Sequence, residues 1–208
     1  MNNFMKRILS AIILIPLALY FIIHGSLMLM FFTAICFLVA CYEWHMMTKK
    51  KHFRIYGFPF LFFSFYTFYE LSLQLTLVFF VILICISTDI GGYVFGKIFK
   101  GPKLTKISPN KTYAGMIGGY FLSLICLAMI TNYIDYQHIP IQFFLLTLLI
   151  STVSQIGDII ISYFKRLSKI KDTGKIIPGH GGLLDRIDGM IFTFPIVYLI
   201  NLTGYLNV

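Results

Sequence analysis

Seven apolar runs, at 8–23, 27–42, 57–69, 73–94, 113–131, 141–164 and 188–205, follow one another through this chain with only short polar breaks between them. A helix needs roughly 17–25 mostly apolar residues to cross a bilayer, so a chain built this way has little choice of fold. The runs predict an all-α, polytopic integral membrane protein of about seven helices with polar cytoplasmic loops. Composition agrees: 58% of the residues are hydrophobic and only 12% charged. The third run, "FPFLFFSFYTF", is short and aromatic and reads as a tilted or re-entrant segment. The first begins behind "MNNFMKR", a basic start that a signal peptide would share. It lacks a small-x-small cleavage site and another apolar run follows at once, so it reads as a retained helix.

Orientation follows from charge. With Met1 in the cytoplasm and the sides alternating, the inner side collects Lys6 and Arg7, then Lys49, Lys50, Lys51 and Arg54. Next come Lys97, Lys100, Lys103, Lys106 and Lys111, and finally Lys165, Arg166, Lys169, Lys171, Lys175 and Arg186. These are all 17 Lys and Arg of the chain, and the outer loops near Gly25, Glu70 and "NYIDYQHIP" hold none. Cytoplasmic loops are where such an excess belongs. The net charge of +9 therefore lies against the inner leaflet, where anionic headgroups and nucleotides are the natural partners and nucleic acid is not. "KKKHFR", with Trp44, His45 and His52 nearby, reads as an interfacial anchor. Cys36, Cys41, Cys85 and Cys126 all lie in apolar runs and read as small buried hydrophobes. There is no internal repeat or linker, so 1–208 is one membrane domain: N-terminal helices to 84, a polar-rich region over 85–190, and a last helix over 188–208.

Polar side chains inside spans are costly and call for a reason. The run 141–164 carries Ser154, Asp158, Ser162 and Lys165 on one stripe. Asp158 then lies about six residues, or ~9 Å, from the cytoplasmic end of its helix, near headgroup depth. An ion pair of Asp158 with Lys165 or Arg166 would also account for its presence. The chain continues as "FKRLSKIKDTGKIIPGHGGLLDRIDGM", its densest cluster of both charges. "PGHGG" cannot extend a helix and offers backbone N–H groups to phosphate oxygens. Asp185 and Asp188 share a face if the last helix begins there, which also suits simple helix capping. Asp158, Asp185 and Asp188 together make a set of hard oxygen ligands of the kind Mg²⁺ takes when phosphates complete its shell. Bases beside them suit the phosphates of a metal–triphosphate. A second polar stretch, Ser87 to Gly119, opens with Asp89 and closes with "SPNKT", where Ser108 and Thr112 offer hydroxyls and Lys111 a point charge.

Ser162, Lys165, Arg166, Lys171, Asp172, Gly174, Pro178, His180, Gly181, Gly182, Asp185, Arg186 and Asp188 stand at the spacing of the phosphatidate cytidylyltransferase (CDP-diacylglycerol synthase) motif. On these residues the chain resembles that family, and "DIGGYVFGK" and "ISPNKTYAG" extend the resemblance over roughly 85–190. It departs at Ala114, where the family usually has Glu, and at Asn110, where Lys is common. The resemblance implies that the phosphate of phosphatidic acid attacks the α-phosphorus of CTP, giving CDP-diacylglycerol and pyrophosphate, with Mg²⁺ required and a second cation as a further candidate. It implies Asp158, Asp185 and Asp188 as metal ligands, Asp89 as a further one, and Asp158, Asp185, Asp188 and Lys165 as catalytic. Lys165, Arg166, Lys171 and Lys111 would bind phosphates, Ser162, His180, Gly181 and Gly182 would shape the pocket, and Ser108 and Arg186 would contact substrate. The expected setting is a bacterial-type inner membrane, with the site on the cytoplasmic face and a homodimer among the candidate assemblies. The rival readings are a CTP-dependent polyprenol kinase and, from another class, a cation transporter.

Overall fold

The computed structural model describes residues 3–49, 51–133 and 141–206. The expectations for Lys50 and for most of "NYIDYQHIP" lie outside these residues. The described residues form eight helices: α1 (Asn3–His24), α2 (Ser26–Thr48), α3 (Arg54–Ser72), α4 (Leu75–Phe99), α5 (Tyr113–Tyr133), α6 (Ile141–Leu167), α7 (Leu184–Ile187) and α8 (Met190–Leu202). Among the described residues there is no strand. The first six apolar runs each become one helix of 19 residues or more, the last becomes the shorter α8, and the protein is an all-helical membrane protein.

Among the described residues four stretches are long and apolar enough to cross a bilayer: Leu27–Thr48, Leu75–Phe99, Tyr113–Thr131 and Ile141–Leu167. Ile8–His24 and Met190–Leu202 are shorter apolar helices. The third run, expected over 57–69 as a tilted or re-entrant segment, extends at both ends into one continuous 19-residue helix, Arg54–Ser72. Ser64 and Thr67 let it continue: their hydroxyls donate to the carbonyls of Ile191 and Ser64, so polar side chains within the run cost little. α6 runs three residues beyond the expected end at 164, so Asp158 stands nine residues, ~14 Å, before its helix end at Leu167.

α4 is central, packing along α5 and also meeting α3, α6 and α8. Its buried residues Val78, Val81, Ile84 and Cys85 join Leu127, Ile150 and Val197 in one core. A second core, nearer the polar loops, gathers Ala40, Trp44, Met47, Leu61, Ile161, Leu184 and Ile191. Trp44 belongs to this core, with its ring against Phe53 and Phe164 and its Nε1–H donating to the Arg54 carbonyl at 2.9 Å. The interfacial-anchor reading therefore does not hold for Trp44, whose indole N–H finds its partner inside the protein. Apolar side chains such as Ile12, Ile13, Phe31, Leu38 and Met129 face outward, as lipid contact requires.

α4 and α5 approach backbone to backbone. A Cβ on Gly91 would lie 2.9 Å from the Gly118 carbonyl carbon, and one on Gly115 would lie 2.7 Å from the Gly92 carbonyl oxygen. Backbone cannot move aside as a side-chain tip can, so Gly91→Val is expected to lower stability by about 3 kcal/mol or more. A thermal ramp of detergent-solubilised protein with a thiol-reactive dye reads this directly, because Cys85 is fully buried until α4 comes away. An unchanged midpoint would contradict the seam.

Candidate active site

The two polar stretches meet at one end of the helix bundle. "SPNKT" folds as a turn: Lys111 N–H donates to the Ser108 carbonyl at 3.0 Å, with Pro109 and Asn110 between them. Proline at the second turn position is pre-set for this geometry. Thr112 then caps α5, its Oγ1 accepting the Gly115 N–H at 3.1 Å. The turn aims Lys111 at α6, and its Nζ lies 2.5 Å from Asp158 Oδ2. Ser162, one turn along α6, donates to Asp158 Oδ1 at 3.3 Å. Asp158 thus has an ion-pair partner, but it is Lys111 rather than Lys165 or Arg166.

Lys165 pairs with Asp185 instead, at 2.9 Å, and the two side chains are 11% and 4% exposed. Asp185 is caged. Its Oδ1 takes Lys165, while its Oδ2 takes the Thr173 N–H at 2.8 Å, the Thr173 hydroxyl at 3.1 Å and the Gly182 N–H at 3.0 Å. Burial alone would push this carboxyl up. The Lys165 ammonium and the N–H groups of Gly182 and Thr173 outweigh that and hold it below the usual carboxylate range. Because its pKa is depressed, the contribution of Asp185 to stability is complete above the unfolded-state value, and it is lost as pH falls through the lower folded one.

Asp188 is placed differently. A single long helix over 188–205 is not formed: α7 ends at Ile187, Asp188 and Gly189 make a turn, and α8 starts at Met190. Gly189 has to fit against α6, where a Cβ would come within 3.0 Å of the Ser154 carbonyl oxygen. Asp185 is held by Lys165 and Thr173, whereas Asp188 accepts the Gly189 N–H at 3.0 Å. The charges acting on Asp188 are those of Asp158 and Asp89 on the acidic side and of Lys165 and Lys111 on the basic side. Asp89, on α4, is acted on by the charges of Asp158, Lys111 and Arg186.

The structure thus pairs Lys111 with Asp158 and Lys165 with Asp185, and the charges of Asp89 and Asp188 act on the same groups. As a metal ligand Asp185 does not fit, because four protein donors already occupy its oxygens. Among the described residues no three His, Cys, Asp or Glu side chains converge closely enough to form a metal cage by themselves.

The "PGHGG" turn corrects a second expectation. Pro178 and Gly179 occupy the middle of a turn closed by the His180 N–H on the Ile177 carbonyl, and Gly179 has φ +78°, which glycine adopts without strain. The N–H groups of Gly181 and Gly182 are engaged by the Ile177 carbonyl and by Asp185, so neither is presented to a phosphate. His180 Nδ1 lies 2.8 Å from Ser10 Oγ on α1, and the His180 carbonyl accepts from Arg186 at 2.9 Å. Arg166, Lys171 and Arg186 are exposed around the rim, and Ser108 is half-buried in its turn.

Glu43 and Thr173 were not anticipated. Glu43 accepts the N–H groups of Leu183 and Leu184, both at 2.9 Å, and the Thr173 hydroxyl at 3.1 Å. The available signal was a lone acid in "CYEWHMM", between apolar neighbours; with the second run ended at 42 it passed for a loop residue, whereas α2 continues to Thr48.

The sequence profile of the cytidylyltransferase family matches residues 5–76 and 53–203. A phosphatidate cytidylyltransferase of Rickettsia typhi is 35% identical over 215 aligned positions, covering 97% of this chain and 93% of the relative. That of Rickettsia felis is 33% identical with the same coverage. One from Staphylococcus aureus is 40% identical over 139 positions, 66% of this chain and 54% of the relative. The chain belongs to the cytidylyltransferase family.

Proposed function

We infer that the protein is a CTP:phosphatidate cytidylyltransferase, a nucleotidyltransferase of phospholipid biosynthesis that makes CDP-diacylglycerol and pyrophosphate. The observation that carries the chemistry is the two ion pairs, Lys111–Asp158 and Lys165–Asp185, at the end of the bundle where the basic loops lie, with the charges of Asp89 and Asp188 acting on them. Acids and bases within one another's reach suit a nucleotide whose phosphates travel with a cation. A lipid phosphate supplies its own nucleophile, so the site needs no serine or cysteine; what it needs is alignment and charge neutralisation.

In this reading an oxygen of the phosphatidate phosphate forms a bond to the α-phosphorus of CTP while the bond from that phosphorus to the β-phosphate oxygen breaks, and pyrophosphate leaves with the electron pair. Lys111, held by the "SPNKT" turn, and Lys165, held by Asp185, neutralise charge on the phosphates. Arg166, Lys171 and Arg186 at the rim guide the anionic substrates in, and Ser108, Ser162 and His180 shape the pocket. Asp89, Asp158 and Asp188 fit a divalent cation such as Mg²⁺: they are hard oxygen donors whose mutual repulsion a cation relieves, and their incomplete shell leaves room for triphosphate oxygens. Bound there, the ion would polarise the phosphates as a Lewis acid.

Seven membrane-crossing helices with Met1 in the cytoplasm complete the reading and put the site at the inner face of a bacterial-type inner membrane. It is supported by the segregation of Lys and Arg and by the contacts of Ser10, Glu43 and Lys111, which all reach the same end of the bundle. There the site is open to CTP from the cytosol and to phosphatidic acid from the bilayer.

Purified protein given phosphatidic acid, Mg²⁺ and CTP labelled at the α-phosphate is expected to move label into lipid, and chelation of the metal should stop it. Transfer of γ-label instead would identify a lipid kinase, and CTP left intact would overturn the enzyme reading.

A further inference from the structure

Glu43 is 1% exposed, on the α2 turn that faces the catalytic loop. Its described partners are the N–H and O–H donors of that loop: Leu183 N on Oε1, with Leu184 N and Thr173 Oγ1 on Oε2. Leu183, the residue before α7, has no side-chain cap of its own, so a carboxylate from another helix serves its first N–H groups. The loop also closes over Glu43 from two sides. A Cβ on Gly174 would stand 2.6 Å from Oε1, and one on Gly182 would stand 2.5 Å from Oε2. Glycine at both places is what lets the backbone come this near. Thr173 Oγ1 is 3.1 Å from both Glu43 Oε2 and Asp185 Oδ2 and can donate its one proton to only one at a time. The two carboxylates thus share a hinge residue.

A buried carboxylate is a costly filler where an apolar side chain would pack as well. Here it matches donors that the loop cannot satisfy internally, at the point where α7 begins and just ahead of Asp185 and Asp188. We propose that Glu43 is a positioning residue for nucleotidyl transfer: by fixing Thr173, Leu183 and Leu184 it sets α7, and so the placement of Lys165, through Asp185, and of Asp188 relative to Asp158. The proposal rests on the cytidylyltransferase reading above and adds to it a residue from the N-terminal half of the chain. Lys111 and the rim bases lie outside this clamp, so substrate binding is expected to change less than turnover. A misplacement of about 1 Å can lower a rate ~10²-fold.

The test uses the full-length purified protein and the α-label assay, with kcat and KM measured for both substrates and normalised to folded enzyme. Glu43→Gln keeps the shape but turns an amide NH₂ toward donors that now lack an acceptor. It is expected to lower kcat by ~10–100-fold with each KM changed by less than about threefold. Glu43→Asp, which keeps both oxygens on a shorter stem, should recover part of that loss. Gly174→Ala gives an independent route, because the three nearest atoms its Cβ would meet all belong to Glu43. Its loss of kcat should be large in the wild-type background and small in Glu43→Ala, where the obstructing carboxylate is gone. Glu43→Gln with kcat within twofold of wild type, or Gly174→Ala with equal effects in both backgrounds, would overturn the proposal while leaving the function intact. A loss that follows only the amount of folded enzyme would make Glu43 purely structural. Wild-type protein that transfers no α-label would overturn both readings.

Discussion

Asp188→Asn is expected to lower turnover by ~10²-fold or more while the protein stays folded in membranes, because a charge the cation and phosphates need is lost. The structure separates this result from simple unfolding. Asp188 accepts the Gly189 N–H at 3.0 Å, which an amide oxygen can also do, and its strongest acidic neighbours are Asp158 and Asp89. Removing one of three repelling charges should leave thermal stability unchanged or slightly raised. Asp158→Asn should lose as much activity and in addition release Lys111 from its 2.5 Å ion pair. The pairing of lost α-label transfer with an undiminished melting midpoint is the signature to measure. Near-normal turnover in Asp188→Asn would remove that residue from the site.

Asp185→Ala should behave in the opposite way, with stability and activity falling together. Lys165 would be left 11% exposed without its counter-charge, and the N–H groups of Thr173 and Gly182 would lose their acceptor. Breaking a buried pair from one side costs on the order of 3–5 kcal/mol, much of it the penalty for the stranded partner. A second variant separates the causes. Replacing Lys165 and Asp185 together by Met and Leu removes both charges, so part of the stability should return. Activity should not return, because the Lys165 ammonium is then absent. If Asp185→Ala melted like wild type, the cage around its carboxylate would be without energetic weight.

The fold was largely legible because lipid leaves a coarse signature: apolar runs and charged gaps map onto helices and loops, though the last run gives only the short α8. The helix ends were harder to read, since the C-terminal ends of α2 and α6 carry Glu43 and Lys165, and charge at a run's edge looks like loop. The acids illustrate the same limit. Asp158, Asp185 and Asp188 could be picked out as a group, but spacing along the chain does not say which faces which. Asp185 and Asp188, three residues apart, have different partners: Lys165, Thr173 and Gly182 hold Asp185, whereas Asp188 accepts the Gly189 N–H. The "PGHGG" turn was legible as a turn, whereas the use of its N–H groups depended on Asp185, a tertiary contact. Glu43 was hidden because its partners lie 130 residues or more away in sequence.

The glycine seam between α4 and α5 bears on how the site can move. Asp89 rides on α4, and Lys111 stands two residues before α5. With Gly91 against Gly118 and Gly92 against Gly115, an axial slip of either helix would drive a side chain into backbone. The separation of Asp89 and Lys111 is therefore locked, like the fixed jaw of a vice.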